Sequence, residues 1–129
     1  MSSKRGTGSA SRPRRHLSKA MLLPMDATSA RDQSLSYHLA LATCRRGHGN
    51  NYLLNELMRT VYLAWFLQQA GYGDAPVTLY KLAEYAVEAA LTLAHESGEW
   101  RLADEAIPAF EKLLALHDSQ LTVAPWHKV

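Results

Sequence analysis

Clustered cations are the first chemistry this sequence offers. The stretch SKRGTGSASRPRRHLSK, from Ser3 to Lys19, carries Lys4, Arg5, Arg12, Arg14, Arg15 and Lys19 and no acid. Six like charges without counter-charges suit phosphates or an acidic protein surface. A second pair, Arg45 and Arg46, stands in RRGHGNN beside His48, where it can meet a phosphate. The same residues also have a purely local account. Cations in a last helical turn oppose the dipole, Gly47 supplies a left-handed cap, and Asn51 starts the next helix. The candidate nucleic-acid contacts are therefore Lys4, Arg5, Arg12, Arg14, Arg15, Lys19, Arg45 and Arg46.

Other chemistry is sparse. There is no HExxH and no CxxC, and no Glu is followed by His three residues later, so no metal site or cofactor is expected. Neither G-x-S-x-G nor a phosphate-binding GxxxxGK[ST] occurs. Cys44, the single cysteine, reads as a small buried hydrophobe, and a lone cysteine suits a reducing, cytoplasmic setting. Glu84 and Glu88 are four apart, which on a helix reads as a solvated face. His38 and His117 fall on apolar stripes and read as hydrogen-bonded packing residues. No nucleophile, base and orienting group come together, so the chain reads as nonenzymatic.

The elements that position these residues are helical. A first helix is expected over Ser29–Arg46, capped by Ser29, with Leu35, His38, Leu39, Ala42 and Arg46 on its inner face. A second runs from Tyr52 to Ala70, with Asn51 as cap and Gly71 as stop. It is apolar nearly all round: Leu53, Leu57, Val61, Ala64 and Leu67 form one stripe, and Leu54, Met58, Tyr62, Trp65 and Phe66 another. Such a helix is central in a bundle or forms an interface. The interface reading selects Leu54, Met58, Tyr62 and Trp65. A third helix spans Leu79–Glu96, with Thr78 as cap and Leu79, Leu82, Ala83, Ala86, Ala90 and Leu93 inward. A fourth occupies about Trp100–Gln120, either kinked at Pro108 or starting near Asp104 with Pro108 in its first turn. The closing LTVAPWHKV is expected to be extended, because Pro125 disfavours helix at Ala124.

The fold class is thus all-α: a compact bundle of about four helices over residues 26–129, behind a basic arm over residues 1–25. Within the arm, Ser, Gly, Lys and Arg over the first 15 residues predict disorder, and LSKAMLLPM (17–25) reads as a strap or short interaction motif. Charge divides along the same boundary. Residues 1–25 carry six positive and no negative side chains; residues 26–129 carry eight positive and twelve negative. No apolar run approaches the roughly 20 residues of a membrane span, and the short stretch before Pro24 does not make a secretory signal.

The stretches HLALATCRRGHG, VYLAWFLQQAG and LALHDSQLTVAP together resemble a family of small, uncharacterised bacterial all-helical proteins labelled Fis-like regulators, over about residues 35–125. The label implies DNA binding by a C-terminal helix-turn-helix. This chain departs from that pattern. Its last helix carries Asp104, Glu105, Glu111 and Asp118 and is followed by a proline-containing tail, with no short basic recognition helix. No functional residue is carried over from the resemblance.

The expected function is a nonenzymatic helical interaction or regulatory protein, a homo-oligomer or the binder of a protein partner, with no membrane role. The alternative is a regulator that holds DNA or RNA phosphates through its arm. If all six arm charges meet phosphates, the logarithm of the binding constant should fall with log salt at a slope of about −5. Deleting residues 1–19 should abolish that binding while the helical circular-dichroism signal persists. Binding that survives deletion would move the contact to the Arg45–Arg46 loop.

Overall fold

The first two described helices start at side chains that accept their first free amides. The computed structural model describes residues 26–124. Helix α1 spans Ala27–Arg45, and its cap is Asp26, whose Oδ1 accepts from the Ser29 amide at 2.9 Å. Ser29, the expected cap, is the donor instead. A carboxylate accepts only, and its charge complements the helix dipole. Helix α2 spans Asn51–Gln69; Asn50 rather than Asn51 caps it, accepting from the Leu53 amide at 2.8 Å. Helix α3 spans Val77–Ser97 and starts directly after Pro76, with no side-chain cap from Thr78.

The fourth helix takes the later of its two expected starts. A 3-10 turn over Asp104–Ala106 leads into α4, Ile107–Val123, with Pro108 in the first turn, where its missing amide costs little. Trp100 to Leu102 are therefore loop, not helix. Contrary to the expected extended tail, Leu121–Val123 continue α4; Ala124, the residue before Pro125, is the first in extended conformation, with ψ 140°. The arm and strap over residues 1–25, and the PWHKV end with Trp126, lie outside the described residues.

The four described helices alternate in direction. Tyr62 meets Glu84 and Trp65 meets Tyr80 between α2 and α3, and Tyr37 and His38 meet Asp118 between α1 and α4. Helix α2 touches all three others, which is why its sequence is apolar on more than one side. The core joins Leu54, Leu57, Val61 and Ala64 of α2 to Phe110, Leu113, Leu114 and Leu121 of α4. Two inner faces are rotated from expectation. On α1 the buried residues are Tyr37, Ala40, Leu41 and Cys44, while Leu35 and Leu39 are exposed. On α3 they are Tyr80, Ala83, Ala86, Val87, Ala90 and Ala94, while Leu82 and Leu93 face outward.

Both ends of the bundle are closed by donors aimed at backbone carbonyls. At one end the loop before α4 crosses the end of α1. The Leu102 amide donates to the Cys44 carbonyl at 3.1 Å, and the Arg101 guanidinium to the carbonyls of Arg45 and Arg46 at 2.9 and 3.3 Å. Gly47 takes the left-handed conformation expected of it, φ 80°. At the other end the Gln68 amide group brackets Ala75, donating to its carbonyl and accepting from its amide, both at 2.9 Å. Gln120 donates to the carbonyls of Ala64 and Tyr72.

Gly49 marks the tightest approach in the first closure. Its amide donates to the Trp100 carbonyl at 3.2 Å, and a Cβ there would stand 2.7 Å from Cys44 Sγ and 3.1 Å from that carbonyl. Gly49→Ala should therefore destabilise the fold by about 1–3 kcal/mol in urea denaturation, as overpacking does. Adding Cys44→Ala removes the sulfur in the way and should recover part of the loss. Strictly additive losses would show that the sulfur contact is not the cause.

Candidate functional site

Two regions bring together side chains with something to offer a ligand or partner. One is a polar cleft of about 550 Å³ between α1 and the start of α4. His38, Leu41, Ala42, Arg45 and Arg46 form its α1 wall; Asp104, Ile107 and Glu111 form the other. The helical step explains the first wall, since His38, Arg45 and Arg46 are seven and eight residues apart. Arg45 and Arg46 are exposed there, as a phosphate contact requires, but two carboxylates face them. The remaining nucleic-acid candidates, Lys4, Arg5, Arg12, Arg14, Arg15 and Lys19, lie outside the described residues.

His38 is half-exposed at the cleft and is held by Asp118, with Nε2 3.0 Å from Oδ2. The Tyr37 hydroxyl donates to the other oxygen of the same carboxylate. Burial pushes Asp118 up, but hydrogen bonds from Tyr37, His38 and Ser34 outweigh it and leave the carboxyl below its usual range. Burial, with the Asp118 bond and charge added, raises the Tyr37 phenol. Cys44 is not available to this cluster: the thiol is fully enclosed and burial pushes it up to about 11. Among the described residues no group of three or more His, Cys, Asp or Glu is placed to hold a metal ion.

The second region is apolar and lies on α2 and α3. Of the quartet expected at an interface, Leu54 is wholly enclosed in the core and cannot reach a partner. Met58 and Trp65 are half-buried, Trp65 edge-on against Tyr80 with ring centres 5.1 Å apart. Only Tyr62 stands exposed, its hydroxyl donating to Glu84 at 2.6 Å. Other exposed apolar side chains on α2 and α3 are Tyr52, Phe66, Val77, Leu82 and Tyr85, all about half or more exposed, and Leu93. An apolar groove of about 440 Å³ runs between α3 and α4, floored by Ala86, Ala90, Ala106 and Ala109. A smaller hollow of about 280 Å³ lies on the other flank of α3, beside Trp65 and Tyr80.

Sequence reasoning placed Ala83, Ala86 and Ala90 correctly on the inner face of α3, but it put Leu82 and Leu93 there too and left out Tyr80, Val87 and Ala94. A usable signal was present: Tyr80, Ala83, Val87, Ala90 and Ala94 repeat at steps of three, four, three and four, as regular a stripe as the leucines make. Comparison with protein-family models, curated proteins and solved structures finds no match to this chain. No described helix is long and apolar enough to cross a membrane.

One buried titratable group supports the region from below. His117 is enclosed, its Nδ1 2.7 Å from Gln120 Oε1. Both hydrogens of the Gln120 amide go to carbonyls, so its oxygen accepts and Nδ1 carries the imidazole proton. Burial lowers the pKa of His117 below its ordinary 6.5 against an opposing contribution from the Gln120 bond. Folding thus favours the neutral ring, and stability should fall as pH drops below that ordinary value toward the folded one. His117→Asn keeps a donor toward Gln120 but does not titrate. The loss in urea midpoint between pH 7.5 and 5.5 should be smaller in this variant than in the native chain. Equal losses would show that another group is responsible.

Proposed function

We propose that this chain is a nonenzymatic helical interaction protein that self-associates through the outward faces of α2 and α3. The observation that carries this reading is the number of large apolar side chains exposed on these two helices: Tyr62, Phe66, Val77, Leu82, Tyr85 and Leu93. Apolar surface gathered in patches marks interaction sites on monomers. None of these residues belongs to the buried core cluster. A cytoplasmic setting fits the single, buried thiol.

The regulator reading, with nucleic-acid phosphates on the arm, draws less support from the described surface. A phosphate at Arg45 and Arg46 would meet Asp104 and Glu111 across the cleft. Light scattering over a hundredfold range of concentration tests self-association. A mass near twice 14.4 kDa at the upper end is expected; a constant monomer mass at every concentration would overturn the reading.

A further inference from the structure

The outward face of α3 carries its own complement. Thr78, Leu82, Tyr85, Ala89, Thr92 and Glu96 are all exposed and recur at steps of four, three, four, three and four. That alternation is the seam of a helix that packs along another helix. Among the described residues this seam has no partner, and the inward stripe of α3 meets α2 and α4. We infer that the seam is filled by α3 of a second copy, running antiparallel about a twofold axis level with Val87. The inference rests on the self-association reading above and specifies its contact.

In that register Tyr85 of each copy lies level with Ala89 of the other, Leu82 with Thr92, and Thr78 with Glu96. The bulkiest side chain of the seam thus meets its smallest, beside the alanine-floored groove between α3 and α4. Isologous contact requires such self-complementarity, because every residue on one side is met by its counterpart across the axis.

Charge at the ends of the seam favours this direction, while exposed Glu88 comes close to its own counterpart across the axis. Lys81 and Glu96 flank opposite ends of the seam, both exposed, and among the described residues neither has an ion-pair partner. Antiparallel pairing brings Lys81 of each copy within one turn of Glu96 of the other. Parallel pairing sets lysine beside lysine, glutamate beside glutamate, and aligns the two helix dipoles. The available size is at the lower end of stable interfaces. Helix α3 has 21 residues and is about 31 Å long. With the groove wall on α4 the face is roughly two helix diameters, about 20 Å, across, a footprint on the order of 600 Å² before side-chain relief is counted. Standard interfaces bury about 800 Å² per partner.

Cross-linking tests the register. Full-length Tyr85→Cys and Ala89→Cys variants are mixed under mild oxidation, with the native chain, whose Cys44 is buried, as control. Disulfide-linked dimers are expected in the mixture and not in either variant alone. In parallel, Ala89→Arg, an exposed site whose fold circular dichroism can verify, should weaken the dimer at least about tenfold, the effect of roughly 1.4 kcal/mol. If each variant links to itself and not to the other, the antiparallel register is overturned. If Ala89→Arg leaves the dimer intact and no mixed link forms, the α3 seam is overturned while self-association through another face stands. A native chain that never dimerises overturns both.

Discussion

The carbonyls at the end of α1 are the constraint on which the rest of this bundle hangs. A helix leaves its last carbonyls without internal partners, and near a core they need donors. Here the donors come from more than 50 residues away, as Arg101 and the Leu102 amide reach the carbonyls of Cys44, Arg45 and Arg46. That crossing fixes where the loop after α3 must run. The chain consequently enters α4 at Ile107 rather than near Trp100, and Pro108 falls where it does no harm. The same placement sets the phase of α4, which turns Phe110, Leu114 and His117 inward and Glu111 and Asp118 toward α1.

Polar clusters gather on one edge of the bundle, where the Tyr37–Asp118–His38 cluster sits beside the cleft with Arg45, Arg46, Asp104 and Glu111, although Leu35 and Leu39 of α1 are exposed as well. On α2 and α3 the exposed apolar side chains include Tyr62, Phe66, Leu82 and Tyr85, interspersed with Arg59, Lys81 and Glu88. Assembly through the α3 side would leave the charged edge free, so that both surfaces can operate in the same particle.

The number and order of the described helices were legible in the sequence because glycine, proline and asparagine punctuate it at each break: Gly47 and Asn50, Gly71 to Pro76, Gly98, Pro125. Caps shifted by one to three residues because neighbouring Asp and Ser, or Asn and Asn, compete for one role, and only geometry decides which accepts. The inner faces of α1 and α3 were less legible. A hydrophobicity pattern ranks Leu35, Leu39, Leu82 and Leu93 above Ala40, Ala83 and Ala90, yet the core selects residues by the space between helices, and close approach favours alanine. The charged cleft was half-legible: Arg45 and Arg46 stood out, but Asp104 and Glu111 come from a distant helix whose phase depends on the loop crossing. Leu54 was misassigned because a helix buried on several sides cannot be told from one with a spare face by composition alone.

Closure between α1 and α4 also bears on the order in which the chain can fold. Pairs α1–α2 and α2–α3 join neighbours across short loops, whereas Tyr37 and Asp118 are 81 positions apart. The entropy of closing a long loop rises only with the logarithm of its length, but it must be met before the contact returns anything. An α2–α3 hairpin can form while the two outer helices are still searching, and α4 has somewhere to land once Leu57 and Val61 are in place. Asp118 is then a late contact, joining α4 to Tyr37 and His38 when α1 is already packed on α2 through Tyr37, Ala40, Leu41 and Cys44.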